Sequence, residues 1–80
     1  MLRNSAGRSL LKLLDEERRA LLAGDIARAA KLAGRKAALL DAFDPETTDR
    51  AILTQIGTRA SYNHGLLDAA RRGIEAARER

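Results

Sequence analysis

Apolar residues recur at three- and four-residue steps along most of the chain. In the first half, Leu22, Ile26, Ala29, Ala33, Ala37, Leu40 and Phe43 share one helical face, and Leu10, Leu11, Leu14 and Leu21 carry it upstream. In the second half, Ile52, Ile56, Ala60, Asn63, Leu67, Ala70, Ile74 and Ala77 do the same, with Leu53, Leu66 and Gly73 on the flanks. Between the halves, Asp44-Pro45-Glu46-Thr47 reads as a helix start: an N-cap, a proline at N1 and a carboxylate in the first turn. Pro45 also pushes Asp44 out of the α region, which ends the preceding helix near Phe43. The pattern predicts helix 1 over about 5–43, a turn at 43–45 and helix 2 over about 45–79. Each is roughly 50 Å long at about 1.5 Å per residue. Two matched helices around a tight turn make a long antiparallel two-helix hairpin, a single helical domain spanning 1–80.

Gly24-Asp25 is the weak point of this reading. A glycine followed by a capping residue can close one helix and open the next, giving three helices at about 5–23, 25–43 and 45–79. The apolar spacing continues across it through Leu21, Leu22, Ile26 and Ala29, so the expectation is a continuous or gently bent helix with a tolerated glycine. The run Asp15-Glu16-Glu17-Arg18-Arg19 interrupts the upstream stripe. It reads as a solvated face with an i,i+4 pair between Asp15 and Arg19. Asn63 is the one polar residue on the second stripe. It either fixes register or partner choice, or sits at the seam's edge bonded to water. Its neighbour His64 reads as a surface residue, and Tyr62 as a ring laid over the interface with its hydroxyl in water.

Composition narrows the class. Alanine and leucine dominate the apolar residues and valine is absent, which excludes an ordinary sheet protein and leaves an all-α fold. The absence of cysteine excludes disulfides and thiolate metal sites. With one histidine, no glycine-rich phosphate loop and no convergent carboxylates, the sequence points away from an enzyme, a metal or a cofactor, and toward a surface that binds something. No apolar run reaches the roughly 18 residues of a membrane span, and the N-terminus lacks a signal-peptide core. The expected setting is therefore the cytoplasm, without membrane insertion.

A two-helix hairpin rich in alanine cannot cover all of this apolar surface. Leu10, Leu11, Leu13 and Leu14 point around too wide an arc for one neighbour, and so do Leu21/Leu22, Leu39/Leu40 and Leu66/Leu67. The excess calls for a third helix folded back at Gly24, a partner's helix, or a second copy completing a four-helix bundle as a homodimer. Charge is uneven as well: the net of +4 lies within residues 1–43, while residues 44–80 balance. Arg28, Lys31 and Arg35, joined by Lys36, form a basic line that is a candidate contact for an acidic partner. Nucleic acid is disfavoured, because aromatic stacking platforms are missing and the net charge is modest.

Several segments line up with one family. Leu10-Leu11-Lys12-Leu13-Leu14-Asp15-Glu16-Glu17, Ala20-Leu21-Leu22-Ala23-Gly24-Asp25-Ile26 and Lys36-Ala37-Ala38-Leu39-Leu40 resemble the N-terminal helix of the flagellar export chaperone FlgN family. Asn63-His64-Gly65-Leu66-Leu67-Asp68-Ala69-Ala70-Arg71-Arg72-Gly73-Ile74 resembles that family's "asparagine-x-x-leucine-leucine-x-alanine" stretch. The chain is shorter and more basic than the typical member. The resemblance implies a cytoplasmic type III secretion chaperone. Such proteins hold hook–filament junction proteins, the hook-associated proteins, and deliver them to the export machinery. Carried over by motif, the client-binding residues are Asn63, Leu66, Leu67, Ala70 and Ile74, and the apolar stripe extends them to Ile56 and Ala60. The alternatives are a self-associating structural or adaptor hairpin without an export client, and a small basic nucleic-acid-associated hairpin.

Overall fold

The computed structural model describes the backbone of residues 4–78 and the side chains of residues 4–73. The described chain is all-helical, with three α-helices and no strand. Helix α1 spans Ser5–Leu22, α2 spans Ile26–Ala42 and α3 spans Arg50–Arg78; a single 3-10 turn, Pro45–Thr47, precedes α3.

The continuous first helix expected from the apolar spacing does not form, and the two-helix hairpin gives way to three helices. Gly24 adopts φ +72°, and the backbone around it closes α1: Asp25 N–H donates to Ala20 O at 2.8 Å and Gly24 N–H to Leu21 O at 3.1 Å. These are the two crossed bonds of a Schellman cap, which needs a left-handed residue at this position and finds a glycine. Asp25 then opens α2, its Oδ1 accepting the Arg28 N–H at 3.1 Å.

The second start also moves. Asp44 does cap at Pro45, accepting the Glu46 N–H at 2.9 Å, but it opens one tight turn only. Thr48 is buried and extended, and its hydroxyl donates back to Asp44 O at 2.7 Å. Asp49 then supplies a second cap, accepting the Ala51 N–H at 3.1 Å, and α3 begins at Arg50 rather than Pro45. Asn4 caps no N–H of its own helix; its Oδ1 accepts the Asp49 N–H at 2.9 Å and ties the start of α1 to the start of α3.

These ties set the topology. Going up α1, Asn4 meets Asp49, Gly7 meets Ile52 and Ile56, Asp15 meets Arg59, and Leu14 and Glu17 meet Asn63, so α1 and α3 run parallel. Helix α2 runs antiparallel to α1, with Arg35 on Glu16 and Lys36 on Glu17. Helix α1 is the middle element. It packs along both neighbours, whereas α2 and α3 do not pack along one another. Gly7 is a point of close approach: a Cβ there would lie 3.0 Å from Ile52 Cγ2 and 3.3 Å from Thr48 Cγ2.

Among the described residues the buried apolar ones, Leu10, Leu13, Leu14, Ala20, Ala29 and Leu32, all come from α1 and α2. Helix α3 is longer than α1 by 29 residues to 18, about 16 Å at 1.5 Å per residue, so its far end outruns the helix it packs on.

Candidate functional site

Two features stand out: a buried polar contact joining all three helices, and an apolar surface that α1 leaves uncovered.

The polar contact begins with Asn63, which is 1% exposed. Its Nδ2 donates to Leu14 O and to Glu17 Oε1, both at 2.9 Å. Both neighbours are acceptors, which fixes the amide's orientation. Glu17, itself 4% exposed, also receives Lys36 Nζ at 3.4 Å. One carboxylate on α1 thus holds an amide from α3 and an ammonium from α2. Asn63 Oδ1 is buried and takes no hydrogen bond from a described residue. Of the two readings of Asn63, the seam is the one observed, and the seam is internal.

The charged block departs from expectation in two ways. Glu17 is not part of a solvated face, because it lies three residues from Leu14 and four from Leu13, in phase with the core. Asp15 pairs across to Arg59 at 3.4 Å rather than along its own helix to Arg19. Lys36 likewise leaves the basic line for the Glu17 contact. Arg28, Lys31 and Arg35 remain exposed, Arg35 with Glu16 at 3.6 Å, and line a groove against α1 together with Glu16 and Asp25.

On α3, the line turned toward α1 is Ile52, Ile56, Arg59, Asn63, Leu66 and Ala70, in 4-3-4-3-4 steps, half-buried or better throughout. The sequence stripe places Leu67 on the seam and Leu66 on the flank; the structure exchanges them, leaving Leu67 41% exposed. Of the residues expected to bind a client, Ile56 and Asn63 therefore face the molecule's own α1. Ala60, Leu66 and Ala70 are half-buried, and Leu67 is exposed. The side chain of Ile74 lies outside the described residues.

The uncovered surface follows from helical phase. Thr58 and Tyr62 share a groove with Asp15 and Arg18, on the side of α1 away from α2. The opposite flank of α3, carrying Leu53, Ala60 and Leu67, is therefore turned toward α2. On α2, Arg28, Lys31 and Arg35 border α1, and about half a turn away lie Ile26, Ala30, Ala33, Ala37 and Leu40, all exposed. Ile26 and Leu40 are each 49% exposed. Periodicity makes these flanks visible as apolar residues without showing which of them α1 covers.

No helix among the described residues is long and apolar enough to cross a membrane. The chain was compared with protein-family models, with curated proteins and with solved structures, and matches none of them.

Proposed function

We propose that this chain is a helix-binding protein of the flagellar export-chaperone kind. It holds an amphipathic helix of a hook–filament junction protein in the cytoplasm and releases it to the export machinery. The observation that carries the reading is the exposed Leu67 on the part of α3 that nears and passes the end of α1, flanked by the half-buried Leu66 and Ala70. A client helix lying there would be gripped through residues at three- and four-residue spacing, as amphipathic helices are in apolar grooves. The resemblance of the motif order to the FlgN family suggests the client class. The exposed Arg28, Lys31 and Arg35 stand apart from this surface and are offered to an acidic contact on the export machinery.

Burying one leucine contributes roughly 1.5–3 kcal/mol, and a carboxylate in its place adds a desolvation cost. Leu67→Asp is expected to weaken binding of labelled terminal helices from hook-junction proteins at least tenfold, read by fluorescence anisotropy. Arg28→Glu is expected to change that affinity far less. A Leu67→Asp protein with wild-type circular dichroism and wild-type affinity would remove this site, and failure of the wild type to bind any such helix would remove the client.

A second reading rests on the exposure of Ile26 and Leu40, which lie on α2 rather than on the client surface: the chain also self-associates, completing a four-helix bundle as a homodimer.

A further inference from the structure

We propose that a second copy of this chain docks on the exposed face of α2, antiparallel to it, about a twofold axis beside Ala33. This deepens the self-association reading above by specifying its surface, and it does not depend on the export client.

The face is Ile26, Ala30, Ala33, Ala37 and Leu40, exposed along its whole length and bordered on one side by the buried Ala29 and Leu32 of the same helix. Its steps are 4-3-4-3, the spacing of a helix–helix seam. Its order of sizes is large, small, small, small, large, which reads the same in both directions. An isologous contact requires a surface complementary to itself under a twofold rotation. Reversal about Ala33 approaches this, setting Ile26 against Leu40 of the second copy and Ala33 against its Ala33, with Ala30 and the second copy's Ala37 about 1.5 Å out of step. The alanines let the axes approach closely, and the two larger residues close over the ends.

Charge favours the same surface. Each copy carries a net +4, so two copies repel unless they meet on a side without the excess. Arg28, Lys31 and Arg35 lie roughly 140–200° around α2 from the centre of the stripe at 100° per residue. The charged neighbours that border the stripe are Lys36, held by Glu17, and Asp41 near one end.

A stable pair sets the size of contact required. A typical interface buries roughly 800 Å² per partner, about one-seventh of the 5840 Å² that the chain exposes. The stripe extends about 21 Å along α2.

The chain has no cysteine, so one introduced cysteine reports its own contact. Ala33→Cys is expected to form a disulfide-linked dimer under mild oxidation. Ile26→Cys alone should not, because its twofold mate lies about 21 Å away, far beyond disulfide reach; Ile26→Cys combined with Leu40→Cys should link. Ala33 is exposed, so Ala33→Glu should fold with wild-type circular dichroism while raising the dimer dissociation constant at least tenfold in sedimentation equilibrium. A wild type that stays monomeric through the micromolar range overturns self-association itself. A dimer that Ala33→Glu leaves intact and Ala33→Cys does not link overturns this surface, and self-linking of Ile26→Cys overturns the antiparallel arrangement.

Discussion

At the scale of single residues, both Nδ2 hydrogens of Asn63 are committed to acceptors on α1, so the position tolerates an amide and little else. Asn63→Asp would set a second carboxylate beside Glu17 and the Leu14 carbonyl, with no donor between them. The expected loss is about 3 kcal/mol or more, a large share of the stability of so small a domain. Asn63→Ala removes the donors and strands their partners, a loss of about 2 kcal/mol. Glu17→Gln keeps an oxygen for Asn63 and gives up only the charge facing the partly exposed Lys36, so it should cost about 1 kcal/mol or less. Urea denaturation should rank the three in that order. An Asn63→Ala protein as stable as wild type would mean that this contact does not hold α3 to α1. Asn63 is legible in the sequence as a lone polar residue on an apolar stripe. Glu17 is obscured by its setting: among three consecutive acidic residues, composition cannot say which turns inward, and only the phase from Leu13 and Leu14 does.

At the scale of elements, the break at Gly24 shows where periodicity misleads. The four-residue step from Leu22 to Ile26 imitates an unbroken helix, but both residues are exposed, so the apparent stripe carries no packing across the turn. The local chemistry of a left-handed glycine followed by a capping aspartate decides the outcome instead. At Pro45 the reverse occurs. Asp44 caps as its sequence context predicts, yet the second cap at Asp49 is the one that begins the long helix. Helix existence, the all-α class and the apolar faces are therefore readable in the sequence, while the boundaries and the covered face need the third dimension. Gly24→Ala places a Cβ in the left-handed region, with open space around it, so strain alone sets the loss at about 1 kcal/mol. Gly57→Ala, within α3 and equally open, should instead stabilise by up to about 1 kcal/mol through helix propensity. Thermal melts of the two variants should shift in opposite directions, and a Gly24→Ala protein more stable than wild type would contradict the cap.

At the scale of the whole molecule, the described apolar core amounts to six side chains, two of them alanine, while α3 contributes mainly half-buried contacts. Domains this small are marginal when they must stand alone. If a second copy covers the α2 face, protomer concentration becomes part of the stability. A tenfold rise in protein concentration should then raise Tm by about 4 °C, given the entropy of unfolding of a dimer this size. Salt separates this contact from the basic one. The proposed dimer joins apolar faces of two molecules that repel at long range, so raising ionic strength from about 0.05 to about 0.5 M should leave the association unchanged or strengthen it. An acidic partner on Arg28, Lys31 and Arg35 would respond oppositely, losing affinity as its ion pairs are screened. Sedimentation equilibrium at the two ionic strengths measures the first effect directly. Dissociation of the dimer at high salt would mean that charged groups hold it together and that the stripe from Ile26 to Leu40 does not.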